Sequence, residues 1–185
     1  MDTDPSNPTC LDCQACRLAG YRTQVVPGRG NWELADIAGI GEAPGRSEDE
    51  QGKPFVGRAG ELLEELLLEA DIDPARIFLD NMVKCRPPDN DLRPFPDAIA
   101  ACPSRWLLPT LDAMKPKVIV AFGATAGSLW FPGKKVHELA KLARVLEDGT
   151  VVVGSYHPAA VFRNRSVRES IVESLKRARR VADGR

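Results

Sequence analysis

No stretch of this sequence approaches the ~18 consecutive apolar residues that a membrane span needs, and no apolar run follows the acidic opening MDTDPSNPT. Neither a secretory signal, a mitochondrial presequence nor a membrane contact is therefore expected, and the default is an intracellular, cytoplasmic protein. Charge of one sign is also scarce, since the formal net charge is only −1. The chain as a whole lacks the basic excess with which many nucleic-acid binders meet phosphate, so any such surface must come from local clustering. Internal repeats and low-complexity segments are absent, and so are the P-loop and the G-x-G-x-x-G dinucleotide fingerprint.

What is present is an ordinary globular composition, 43% hydrophobic and 28% charged over 185 residues. That length suits one domain able to bury roughly 70% of its unfolded surface. A single domain over residues 1–185 is expected, acting as a monomer. Four short apolar runs read as strands: Leu34 to Ile40, Arg76 to Val83, Lys117 to Phe122 and Thr150 to Ser155. Continuous rather than alternating apolarity suits strands buried on both faces. Between them, Leu62, Leu63, Leu66, Leu67 and Ala70 recur at helical spacing opposite Glu61, Glu64, Glu65 and Glu69. A second helix is expected over Asp97 to Met114, interrupted at Pro103 and Pro109. Ser166 and Glu169 stand in the S-x-x-E relation of a capping box opening a last helix from Val167 to about Val181. Strand–helix alternation of this kind implies an α/β fold with an open, mostly parallel sheet between helix layers.

Ligands of such sheets bind outside the carboxyl ends of the strands. There the sequence places Gly41 to Gly45, Asn81, Gly123 and His157, each directly after or closing one of the four runs. Beyond His157 the chain turns basic, with Arg163, Arg165, Arg168, Lys176, Arg177, Arg179 and Arg180. That cluster reads either as a solvated helix face or as a phosphate-binding surface.

The five cysteines are Cys10, Cys13, Cys16, Cys85 and Cys102. An odd count in an intracellular chain argues against a disulfide framework. The C-x₂-C-x₂-C spacing, with two distant single cysteines, points to thiolate ligation of an iron–sulfur cluster or zinc, with buried unligated thiols as the third reading. Either ligand would clasp the Cys-rich segment at about residues 10–18 to the proline-rich stretch after the second strand.

The motifs GEAPG (Gly41 to Gly45), KPFVGRAG, NMVKCRPP (Asn81 to Pro88) and YHPAAVFRN (Tyr156 to Asn164), together with C-x₂-C-R-L at Cys13 to Leu18, occur in an order that resembles family 4 uracil-DNA glycosylases. The resemblance covers nearly the whole chain. It implies a three-layer α/β/α sandwich with a four-stranded parallel sheet, a [4Fe–4S] cluster, and hydrolytic release of uracil from single- or double-stranded DNA in base excision repair. By the same resemblance the cluster ligands are Cys13, Cys16, Cys85 and Cys102, leaving Cys10 free or as a local alternative. Phe55 resembles the aromatic that stacks on the base, and Asn81 the residue that reads it. A carboxamide fits that task, offering an acceptor for uracil N3–H and a donor for O4. His157 is expected to donate to O2 as charge develops on the departing base.

Glu42 and Ala43 are expected to line the O2 edge, with Glu42 helping to orient water, and Glu48 to lie near C5, where thymine's methyl must be excluded. Ala159 to Arg165 would form the groove loop, with Val161 or Phe162 as wedge and Arg163 and Arg165 on phosphate. Asn90 resembles a further site position. The family commonly follows that Asn with Arg, whereas here Asp91 and Leu92 precede Arg93. The competing reading is a non-catalytic nucleic-acid-binding module stabilised by the metal or cluster.

Overall fold

The structure, a computed structural model, describes residues 11–185. Cys10 and the first part of the Cys-rich segment lie outside the described residues. All four expected strands form, as β1 (Ile37–Gly41), β2 (Ile77–Asn81), β3 (Val118–Phe122) and β5 (Val151–Ser155), with a fifth, β4 (Ala143–Val145), between the last two in sequence. The spatial order is β2-β1-β3-β5-β4. β1, β2, β3 and β5 pair in parallel, and their residues are buried almost without exception.

The four-stranded parallel sheet is therefore extended by one antiparallel edge strand. β4 escaped the sequence reading because its three residues are all exposed and carry no apolar pattern. It is created by the turn that follows. There the N–H of Leu146 donates to Thr150 O at 2.8 Å, and Gly149 takes a left-handed φ of 88°. β1 also starts later than expected, because Leu34 and Ala35 are drawn into a turn whose N–H groups donate to Asn31 O.

Two apolar layers cover the sheet. On one face Ile40, Phe78, Ile119 and Val152 pack against α3 (Pro96–Cys102) and α4 (Leu108–Met114). On the other, Ile37, Leu79, Val120 and Val153 pack against α2 (Arg58–Glu69) and α7 (Val167–Ala182). The result is the α/β/α sandwich. α2 owes its place to the expected stripe: Leu63, Leu66 and Ala70 are 0% exposed.

Two helix expectations change in detail. Between α3 and α4 the chain does not break at Pro103 but widens into a π-helical turn, Pro103–Leu107. Pro109 falls in the first turn of α4, where a missing N–H costs little. At α7 the predicted capping box is not made, since Ser166 has helical φ and ψ and no side-chain cap bond. Asn164 takes that work instead, its Oδ1 accepting from Ser166 N at 3.0 Å and from Ser166 Oγ at 2.7 Å. The remaining short helices are α1 (Arg46–Gln51), α5 (Gly123–Gly127) and α6 (Val136–Leu139).

Because Leu66 is fully enclosed between α2 and the sheet, Leu66→Ala is expected to destabilise the fold by about 2–5 kcal/mol. Urea unfolding should show this as a lower midpoint with an unchanged slope.

Candidate active site

The parallel pairing of β1 and β2 sets Gly41 directly opposite Asn81. Gly41 carries no side chain, and that space is used by others. A Cβ added there would lie 2.5 Å from Asn81 Oδ1 and 2.8 Å from the Phe55 ring. The Phe55 ring meets the His157 imidazole almost face to face, with centroids 6.1 Å apart and planes 19° apart, and meets Phe122 edge-on at 6.0 Å. Behind His157 the chain of Gly123 comes close enough that a Cβ would stand 3.3 Å from that of His157. Asn81, Phe55 and His157 are thus gathered at the carboxyl ends of β2, β1 and β5.

Phe55 is held there in an uncommon backbone conformation, with φ at 54°. A non-glycine residue stays in that region only when its surroundings over-determine it. Glu48 Oε1 accepts from Val56 N at 3.1 Å and Gly57 N at 2.8 Å, and Glu48 Oε2 accepts from Gly45 N at 3.1 Å. Arg29 donates to Pro54 O at 2.8 Å and to Phe55 O at 3.2 Å. Gly60 lets α2 approach so closely that a Cβ would sit 1.9 Å from Phe55 O. Glu48 is therefore a brace of the Phe55 loop.

Arg29, which the sequence reading did not single out, shares that task. Its own backbone is fixed by exchanging two hydrogen bonds of 2.8 Å with Leu79 on the free edge of β2.

His157 is partly exposed to the crevice, and its Nδ1 accepts from Ala159 N at 3.1 Å. A ring that accepts at Nδ1 carries its proton on Nε2, which leaves Nε2–H as a donor. Burial lowers the imidazole pKa from 6.5 to about 4, against the opposing pull of the Glu48 carboxylate. Asn81 is buried, and its carboxamide has no hydrogen-bond partner among the described residues. Glu42 and Ala43 are half-buried beside it, and Glu42 O accepts from Val83 N at 3.0 Å.

Asn90 is exposed, and its Oδ1 accepts from Arg86 Nε at 2.9 Å. Arg93, the displaced basic residue, is tied to Asp91 at 2.8 Å.

The two wedge candidates differ in placement. Val161 packs inward with the α2 and α7 side chains, whereas Phe162 is 48% exposed with the Arg58 guanidinium 4.7 Å above its ring. Arg163 and Arg165 are exposed, with no carboxylate within salt-bridge distance among the described residues. The basic residues of α7 itself are largely spent on the fold. Arg168 pairs with Glu65 and Glu69, Arg179 with Asp71, and Arg177 donates to Ala140 O at 2.6 Å.

Across the sheet from α2 and α7, Cys13, Cys16, Cys85 and Cys102 line one pocket, and all four are free thiols. Burial pushes the Cys85 thiol up to about 11 and the Cys102 thiol up to about 12, and the neighbouring cysteines push in the same direction. Such thiols become thiolates only around a positive centre. Donors already face them: Arg22 Nη1 stands 3.6 Å from Cys85 Sγ and Lys84 N 3.4 Å from Cys102 Sγ. Trp106, another wall of the pocket, has a buried indole N–H without a partner among the described residues.

Among the described residues no three His, Cys, Asp or Glu side chains gather tightly enough to hold a single metal ion. A tetrahedral zinc would draw its sulfurs to about 3.8 Å from one another, given Zn–S bonds of ~2.3 Å. The four thiols, two of them faced by N–H donors, supply a ligand set open to a zinc ion or to an iron–sulfur cluster.

With His157 neutral, no activity break is expected near 6.5, and rate should be held until pH falls towards about 4. Between those values the unfolded chain binds the extra proton, so folding stability should rise with pH across that window. A rate break near pH 6.5 that disappears in His157→Gln would contradict this assignment.

Comparison with known proteins gives the same picture from a separate direction. The profile described as the Uracil DNA glycosylase superfamily matches residues 27–179. The chain is 43% identical over 171 residues to a type-4 uracil-DNA glycosylase of Thermotoga maritima, covering 90% of this chain and 88% of that protein. It is 36% identical over 179 residues to the type-4 protein of Archaeoglobus fulgidus, covering 90% and 86%. A type-5 uracil-DNA glycosylase of Pyrobaculum aerophilum is more distant, at 28% over 207 residues, covering 91% and 88%.

Proposed function

This chain belongs to the uracil DNA glycosylase superfamily, and on that footing we propose how its crevice releases a base from DNA. The chain is a uracil-DNA glycosylase, a hydrolase that leaves an abasic site in DNA repair. The observation that carries the detailed reading is the meeting of Asn81 Oδ1 and the Phe55 ring over the bare Gly41, with His157 stacked alongside.

A deoxyuridine rotated out of the stack enters the crevice, and its ring lies against Phe55. Asn81 accepts from N3–H and donates to O4, the pattern that cytosine reverses. As the C1′–N1 bond breaks, its electron pair goes to the base and the negative charge is shared onto O2. Neutral His157 meets that charge with Nε2–H, a donor already in place and needing no proton of its own from solvent. Water adds its oxygen to C1′, leaving a hydroxyl there, and the proton it gives up ends on the uracil anion, so that neutral uracil departs. The half-buried Glu42 carboxylate, with the Ala43 backbone beside it, orients that water at the O2 edge. Glu48 shapes the C5 side through the loop it braces, and the exposed Asn90 contributes from the segment after β2 by the family resemblance.

Phe162 is the wedge, and Arg163 and Arg165 grip the flanking phosphates, in single- or double-stranded DNA. Cys13, Cys16, Cys85 and Cys102 would hold a [4Fe–4S] cluster, whose iron charge would stabilise the four thiolates and clasp the chain start to the segment after β2. The chain acts as one domain and as a monomer inside the cell. No helix of the described residues is long and apolar enough to cross a membrane.

A uracil-containing oligonucleotide treated with the protein and then alkali should break at the uracil, while His157→Ala should be slower by about 10²–10³. Asn81→Ala should likewise cut more slowly. Intact DNA with the wild-type protein would favour a binding module instead. Purified protein should be brown, with a broad absorbance near ~400 nm that Cys85→Ala abolishes. Colourless protein containing zinc would overturn the cluster.

A further inference from the structure

Both main-chain polar atoms of Asn81 are held by one buried ion pair. Asp80 is 1% exposed and Lys84 4%, and the ammonium of Lys84 is hydrogen-bonded to Asp80 Oδ2. The other oxygen of Asp80 accepts from Asn81 N at 2.7 Å, and Lys84 Nζ donates to Asn81 O at 3.0 Å. Asn81 is the last residue of β2, an edge strand. The pair thus supplies at the strand end what a neighbouring strand supplies elsewhere in a sheet.

The same lysine reaches the cysteine pocket through its backbone. Its N–H donates to Cys102 Sγ at 3.4 Å, and the next residue is Cys85. Between its two ends the chain is pinned to the loop after β1, with Met82 N donating to Gly41 O at 2.8 Å and Val83 N to Glu42 O at 3.0 Å. Lys84 is therefore bonded at its main chain to the thiol cage and at its ammonium to the residue that reads the base. Burying two charges is expensive, and an apolar pair of similar volume is often as stable, so stability alone does not account for this arrangement. Position does, because an apolar pair would leave Asn81 N–H and C=O unheld.

We propose that Lys84, with Asp80, is a positioning residue for base recognition, a strut that sets the Asn81 carboxamide from the cysteine cage. The inference rests on the reading of Asn81 as the base-reading residue. It separates two quantities that a merely structural role would move together, namely affinity for the free base and affinity for DNA that already lacks it. The Asn81 amide touches only the former.

The test compares Lys84→Met, the double variant Asp80→Asn/Lys84→Met, and Asn81→Ala. Each is measured for inhibition by free uracil, for binding of abasic-site DNA, and for cluster absorbance per chain. The double variant removes both charges and so remains informative if Lys84→Met, which strands a buried carboxylate, does not fold. The folded variants should lose about 10-fold or more in uracil inhibition and in kcat, as expected when a group held by charged hydrogen bonds is released. Their affinity for abasic DNA and their absorbance near ~400 nm should stay within about 2-fold of wild type.

Wild-type uracil inhibition in the double variant would overturn the strut. So would a parallel loss of abasic-DNA binding, which would mark a general structural role. Wild-type uracil inhibition in Asn81→Ala would instead overturn the base-reading role on which the strut rests.

Discussion

The site depends on one close approach, that of the Phe55 ring and the Asn81 carboxamide over a strand end with no side chain. Parallel pairing brings Gly41 level with Asn81, and the missing Cβ at Gly41 leaves room that both groups use. The rest of the crevice is arranged to keep that approach. Glu48, Arg29 and Gly60 hold the Phe55 backbone in a left-handed conformation it would not keep alone. Phe55 in turn lies nearly parallel to the part-buried His157 ring, with centroids 6.1 Å apart. The low imidazole pKa follows from this burial, and a neutral ring with its proton on Nε2 is the form suited to meeting a departing anion.

The opposite face of the sheet supports the same strand end. Four thiols line a single pocket: two from the start of the described chain, one from the segment that follows β2 and one from the last residue of α3. The π-helical turn begins immediately after Cys102, and widening the helix there avoids the clash that Pro103 would make in a regular α-helix. Cage and crevice are thus not separate features. They share the short segment from Asn81 to Cys85, which carries the Asn81 amide at one end and a thiol at the other.

Much of this was legible in the sequence, because the central strands are buried on both faces and so advertise themselves as unbroken apolar runs. Strand ends then located Asn81 and His157 without reference to any relative. What escaped was encoded by contacts rather than by pattern. β4 is exposed and held by a turn, and its residues have no apolar signature. Ser166 and Glu169 show a capping motif that Asn164 supersedes. Arg29 stands in a loop before the first strand, and only the pairing of that loop with Leu79 reveals what its side chain reaches. The basic residues of α7 suggested a phosphate surface, yet acidic partners from α2 and the loop after it claim Arg168 and Arg179. The uncompensated charge lies earlier, at Arg163 and Arg165.

The central claim concerns the protonation and aim of His157, and ring-nitrogen NMR of the protein titrated with free uracil reads both at once. The account predicts a neutral imidazole at pH 6, protonated on Nε2, whose Nε2–H resonance moves downfield as uracil fills the crevice. An imidazolium at that pH, a proton on Nδ1, or an Nε2–H signal indifferent to uracil would contradict it.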